Sequence, residues 1–170
     1  MNYSEIRKID TANGPGVRVS LFVSGCRRHC PGCFNEVTWD FNHGKEYTID
    51  TQNQIKKYLG KDFISGLTIL GGEPLEVENI PQVLSLIKEI NSELPQKNIW
   101  LYSGFTIDEL QKRRLEEPQL DDILTRINYL VEGPFIGSLK DITLKFRGSS
   151  NQNIYKRTDK ELILDEKYNI

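Results

Sequence analysis

The chain has 170 residues, 38% of them hydrophobic, with 24 acidic and 22 basic side chains for a net charge of −2. That size and apolar content suit one domain with a sizeable core, expected to span residues 1–170. Interspersed charge gives no global attraction to nucleic acid or a membrane surface. No apolar run reaches membrane-spanning length and no secretory pattern opens the chain, so a cytoplasmic protein is expected.

The first structural signal is the turn Asn13-Gly14-Pro15-Gly16, followed by the alternating, β-branched run Val17 to Val23, which reads as a strand. That strand delivers the chain into an eight-residue window holding all three cysteines, Cys26, Cys30 and Cys33. An odd, clustered set of thiols argues against a disulfide framework and for a reducing compartment, where thiolates serve as metal ligands. Iron–sulfur clusters take cysteine thiolates at such spacings, and a cubane with three of them keeps one iron open. By analogy with zinc, an open position marks a catalytic site.

Two plainer readings stand beside it. The i, i+4, i+7 rhythm of the cysteines would suit a helix stripe, but Gly25, Pro31 and Gly32 break a helix there. A structural zinc site with His29 or His43 as fourth ligand is the stronger alternative, although zinc knuckles come as two separated cysteine pairs.

Further along, Asp50 or Thr51 is expected to cap a helix carrying Ile55, Tyr58 and Leu59, before a buried strand at Leu67 to Leu70 that ends at Gly71-Gly72-Glu73-Pro74. Ile80, Val83, Leu84, Ile87 and Ile90 have helical spacing, with Pro81 in the first turn. Ile99 to Tyr102 reads as a strand closed by Ser103-Gly104. Thr106 and Glu109 form a capping-box pattern, with Phe105 and Leu110 as its staple. Leu120, Ile123, Leu124 and Ile127 predict a further helix, and Tyr129 to Val131 a strand ending at Glu132-Gly133-Pro134. In the last forty residues Ile142, Leu144 and Phe146 alternate, and Leu162 to Leu164 suits a terminal strand.

Strand, loop and helix repeat in that order, so the expected fold is α/β: a partial, open (β/α) barrel with parallel strands and helices outside, since the units are too few to close eight strands. Sites on such sheets form where the C-terminal strand ends converge, and each glycine-rich polar motif falls at such an end.

With a CxxxCxxC loop after the first of these strands and a Gly-Gly-Glu-Pro loop after the second, the chain resembles the radical S-adenosylmethionine enzymes. Within them it is similar to the glycyl-radical-enzyme activases that serve anaerobic ribonucleotide reductase. The matching segments are Asn13 to Arg18, Phe22 to Asn35, the Gly71 to Pro74 loop, Glu132 to Phe135 and Lys145 to Gln152. Gly32 stands where the superfamily often has an aromatic residue, and Glu132 where the activases commonly have aspartate.

The resemblance implies an oxidoreductase with one [4Fe-4S] cluster held by Cys26, Cys30 and Cys33, S-adenosyl-L-methionine on the open iron, and reductive cleavage to a 5′-deoxyadenosyl radical that forms a glycyl radical on the reductase's large subunit. It implies no catalytic residue beyond the cluster ligands. Gly71, Gly72, Glu73 and Pro74 would lie along the methionine moiety, Phe34 and Asn35 near adenine, and Ser103 and Glu132 beside the cofactor. Arg18, Arg147 and Asn151 are weaker candidates, the arginines for a substrate carboxylate or the partner, with a surface salt bridge as the alternative. Arg27, Arg28 and His29 would place positive charge near the cluster or face an acidic donor. A low-potential electron donor such as flavodoxin is implied, and no nucleic acid or membrane. Gly72→Val is expected to weaken S-adenosylmethionine binding and leave the cluster intact. The rivals are a radical enzyme acting on a small molecule, and a zinc-binding or electron-carrying module without catalysis.

Overall fold

The computed structural model describes residues 1–159 and 161–169. β1 (Asn2–Asp10) and β2 (Val17–Val23) form an antiparallel pair across the Asn13–Gly16 turn, and β3 (Lys45–Glu46) adds to the outer edge of β1. After α1 (Ile49–Leu59), β4 (Ile64–Gly71) lies parallel to β2. Then α2 (Ile80–Glu93) leads to β5 (Asn98–Ser103), and α3 (Ile107–Arg113) with α4 (Pro118–Leu124) leads to β6 (Tyr129–Glu132), both strands again parallel. β7 (Asn153–Arg157) and β8 (Leu162–Leu164) close the sequence as antiparallel strands. The sheet runs β3-β1-β2-β4-β5-β6-β7-β8 and is open, its two end strands being different elements.

The expectation of parallel strands therefore holds for the central four and is corrected at both edges. A connection of a few residues, as between β1 and β2 or β7 and β8, is long enough only for antiparallel neighbours; the parallel pairs all have a helical crossover between them. The alternating Ile142, Leu144 and Phe146 form no strand: they lie in an irregular segment that a single bridge, Lys140 to Ser149, ties together.

Helix caps follow local chemistry. Thr48, not Asp50 or Thr51, caps α1: its hydroxyl accepts from the Thr51 amide at 3.4 Å while the Thr51 hydroxyl accepts from the Thr48 amide at 3.3 Å. In α3 the Thr106 and Glu109 capping box forms as the sequence predicts.

The pleat sorts the central strands into two faces. Val19, Leu21 and Val23 of β2, Leu67 and Ile69 of β4, Ile99 and Leu101 of β5 and Leu130 of β6 share a core with Ile55 and Leu59 of α1, Val83, Ile87 and Ile90 of α2, Leu110 of α3 and Ile123 of α4. Each of α1 to α4 thus contributes to this one core. The alternate residues, among them Arg18, Phe22, Thr68, Leu70, Trp100 and Tyr102, face away from it, and the returning chain covers part of that side through Phe146 and Tyr168 around Trp100. No helix among the described residues is long and apolar enough to cross a membrane.

Candidate functional site

Because β2, β4, β5 and β6 are parallel and adjacent, the loops at their C-terminal ends meet. A cavity of about 510 Å3 opens there, within the range of small-ligand sites. Its lining includes Cys26, Cys30 and Cys33 after β2, Gly71, Gly72 and Glu73 at the end of β4, Ser103 and Gly104 after β5, and Gly133 after β6. The helix-free side of the sheet supplies its floor through Phe22, Leu70 and Tyr102.

The cysteine loop is held from outside rather than by its own secondary structure. The Gly25 and Cys26 amides donate to the Thr38 and Trp39 carbonyls at 2.7 and 3.1 Å. Gly25 has φ +97°, and a Cβ there would sit 2.3 Å from the Phe41 ring, so the turn out of β2 is closed to other residues. Stitches to the Gly-Gly-Glu-Pro loop are equally direct. The Gly72 amide donates to Val23 O and the Glu73 amide to Gly25 O, both at 2.8 Å. Glu76 accepts the Arg27 amide at 2.8 Å and its guanidinium at 2.7 Å, and Asn79 Nδ2 donates to Ser24 O at 3.0 Å and Glu73 O at 2.9 Å. A Cβ on Gly72 would lie 2.7 Å from Gly25 O and 2.9 Å from Thr38 O.

All three thiols are free and half-buried. The Arg28 and His29 amides face Cys26, and the Asn35 amide donates to Cys33 Sγ at 3.4 Å. Burial pushes the Cys26 thiol up to about 11, with those two amides acting in the opposite direction. Thiolates on one cavity wall, supplied with amide donors, fit an iron–sulfur cluster. In a cubane each cysteine takes a different iron, so the ligands surround the group instead of meeting at a point. Among the described residues, no three His, Cys, Asp or Glu side chains gather around a position that a single ion would fill. His29, one possible fourth zinc ligand, stacks on Trp39 with ring centroids 4.4 Å apart.

Glu73 is fully enclosed. Oε1 accepts from the Leu75 amide at 2.9 Å and the Ser103 hydroxyl at 3.0 Å, and Oε2 from the Gly104 amide at 2.7 Å. Burial raises its carboxyl to about 7 against the pull of these donors and of Arg28.

The other residues singled out from sequence divide. Phe34 and Asn35 line the cavity, Phe34 as an exposed ring 4.9 Å from Phe135. Ser103 lines it too, with its hydroxyl engaged by Glu73. Arg147 lines it, bound to Gln152 O at 2.9 Å, with Nε buried and unpartnered among the described residues. Pro74, Glu132, Asn151 and Arg18 are outside the lining. Glu132 accepts from the Ile107 amide at 2.9 Å and Asn153 Nδ2 at 3.0 Å, joining α3 to β7, and Asn151 Nδ2 donates to Pro134 O at 2.8 Å. Arg18 is fully buried. It donates to Thr68 Oγ1 and Leu67 O at 2.7 Å, to Asn98 Oδ1 at 2.8 Å and, more loosely, to Pro15 O and Asn98 O; it offers no surface to a partner and, among the described residues, forms no salt bridge. Arg27 is paired with Glu76 and Glu78.

The cavity also includes Trp39, Tyr102, Gly104, Phe135 and Gln152, which sequence reasoning did not assign. Gly104, Phe135 and Gln152 carried a signal, the first two as neighbours of the Ser103 and Gly133 turns and the last as the end of the matching Lys145 to Gln152 segment.

A family model described as a 4Fe-4S single cluster domain matches residues 12–155. The chain is 41% identical over 157 residues to the anaerobic ribonucleoside-triphosphate reductase-activating protein of Escherichia coli (strain K12), covering 91% of this chain and 98% of that one. It is 39% identical to the protein of that name from Vibrio cholerae, covering 93% and 99%, and 34% identical to that of Enterobacteria phage T4, covering 94% and 96%.

Proposed function

Because the chain belongs to the family of anaerobic ribonucleoside-triphosphate reductase-activating proteins, with their 4Fe-4S single cluster domain, we propose that it is a radical S-adenosylmethionine activase that generates a glycyl radical on an anaerobic ribonucleotide reductase. The observation that carries this reading is the meeting of three free thiols and the Gly71 to Glu73 loop in one cavity at the ends of adjacent parallel strands.

Cys26, Cys30 and Cys33 would hold the [4Fe-4S] cluster and leave one iron to S-adenosylmethionine. When bound, the cluster would supply the one-electron reduction, refilled by an external donor, that cleaves S-adenosylmethionine to methionine and the 5′-deoxyadenosyl group that would abstract a hydrogen atom from a backbone glycine of the reductase. The chain's own residues bind and orient. Glu73, held by three donors, faces the ligand's ammonium; Gly71 and Gly72 let the main chain approach it closely; Phe34 and Asn35 offer an aromatic face and an amide to adenine. The apolar floor excludes water from the reacting centre. Ser103 fixes Glu73, and Glu132 acts by bracing the α3 corner.

The single-sided placement of the helices supports a partial, open barrel formed by one domain over residues 1–170, with the reductase loop closing its free side. A cytoplasmic setting and a low-potential donor such as flavodoxin complete the reading, with no nucleic acid or membrane as partner.

The test is electron paramagnetic resonance of anaerobically reconstituted, reduced protein mixed with the reductase. A carbon-centred doublet on the large protein that requires S-adenosylmethionine is expected. Its absence with a reduced cluster and bound S-adenosylmethionine would overturn the activase reading and favour small-molecule chemistry.

A further inference from the structure

Arg28 lies between the first two cysteines, and its side chain leaves their loop for the corner between β5 and α3. The guanidinium stands 4.4 Å from the centre of the Phe105 ring, a ring that Arg113 approaches equally closely. Its Nη2 pairs with Glu109, the residue that closes the α3 capping box. The planar group is thus fixed in orientation by an aromatic face and a carboxylate. Its Nε is buried and, among the described residues, has no acceptor, although Arg28 lines the cavity.

A buried donor left unspent on a partly exposed cation is costly unless something in the cavity accepts from it. Its surroundings indicate the acceptor's chemistry. The position that a Cβ on Gly104 would occupy lies 3.3 Å from Arg28 Nε and 3.5 Å from Glu73 Oε2. A positive and a negative group therefore both pack close against the Gly104 backbone, the Arg28 Cδ nearest at 2.6 Å from that position. They do not consume each other, for the donors to Glu73 are the uncharged Leu75 and Gly104 amides and the Ser103 hydroxyl. Such a pair is complementary to a zwitterion, with an ammonium for Glu73 and a carboxylate for Arg28.

We propose that Arg28 Nε donates to the α-carboxylate of an amino-acid ligand whose ammonium faces Glu73; resting on the function proposed above, that ligand is the methionine end of S-adenosylmethionine. Gly104 is then required because a Cβ there would lie 2.6 Å from Arg28 Cδ and push the guanidinium out of place, and Glu109 positions Arg28.

The proposal separates from a merely structural role by a comparison of two ligands, S-adenosylmethionine and its decarboxylated analogue, each titrated calorimetrically into anaerobically reconstituted protein. Arg28→Gln should lose about tenfold or more in affinity for S-adenosylmethionine, the size expected for one charge-assisted hydrogen bond. Affinity for the analogue, which has no carboxylate to accept, should stay within about twofold. Arg28→Lys keeps the charge opposite Glu109 but has no donor at the Nε position, and should show the same selective loss should the glutamine variant not retain its cluster. Equal weakening of both ligands, or no weakening of either, would overturn the assignment. Failure of the wild-type protein to bind S-adenosylmethionine would instead remove the functional reading, and this assignment with it.

Discussion

The Ser103 hydroxyl donates to Glu73 Oε1 at 3.0 Å while the following amide, of Gly104, donates to Oε2 at 2.7 Å, so the end of one parallel strand grips both oxygens of a carboxylate delivered by its neighbour. Ser103→Ala removes one of three donors to a buried carboxylate and is expected to destabilise the protein by about 1–2 kcal/mol. Urea unfolding measures it, and an unchanged midpoint would show that the hydroxyl holds nothing.

Glu73 also sets a pH dependence. Its carboxyl is raised by burial to about 7 from the ordinary 4.5, so between those values the folded chain binds a proton that the unfolded chain has released. Stability contributed by this group is full below the unfolded value and is lost as pH rises through the folded one. Glu73→Gln should flatten that segment: relative to wild type, the variant of the cluster-free protein should gain on the order of 2–3 kcal/mol between pH 4.5 and 8. Parallel stability profiles for the two proteins would contradict it.

Cys26→Ala, Cys30→Ala and Cys33→Ala should each lose most of the bound iron and acid-labile sulfide and all S-adenosylmethionine cleavage, since two thiolates hold a cubane poorly. A variant with full iron content and full cleavage would remove that cysteine from the ligand set.

Gly72→Ala is expected to disturb more than cosubstrate binding. Its Cβ would press on Gly25 O and Thr38 O, the backbone that supports the cysteine loop. The cluster's absorbance and resonance spectra should therefore change together with S-adenosylmethionine affinity. This replaces the sequence-based expectation for Gly72→Val of an intact cluster, which treated the loop as facing ligand alone.

Arg18→Met leaves Thr68, Asn98 and the Leu67 carbonyl without their donor inside the sheet. A loss of about 3–5 kcal/mol is expected on unfolding by denaturant. A loss of reductase binding without loss of stability would return Arg18 to the partner surface.

What was legible in the sequence was whatever local chemistry dictates. The Val17 to Val23 alternation, the Thr106 and Glu109 pair and the Ile80 to Ile90 spacing each encode their element within a few residues. The cysteine spacing and the Gly71 to Pro74 turn pointed to the region where the cavity opens. Less legible were features set by distant partners. β7 depends on pairing with β6, and the irregular segment between them has apolar alternation without a neighbour to pair with. Arg18 looks the same in sequence whether it meets solvent or, as here, Thr68 and Asn98, 50 and 80 positions away. Arg28 is similar: its contacts with Phe105 and Glu109 exist only once β2 and β5 share a sheet.

The stitching of the cysteine loop to the loop after β4 carries a consequence for how the protein matures. Residues 23–27 take part of their support from Asn2, Thr38 and Trp39 and the rest from residues 72–79, so they reach their final shape only after the β2–β4 crossover has closed. A ribosome that has released only the first sixty residues presents three thiols on a loop that has its Thr38 and Trp39 contacts but lacks those from residues 72–79. Cluster insertion then belongs to the finished sheet, and iron uptake during synthesis would report the moment at which β4 docks.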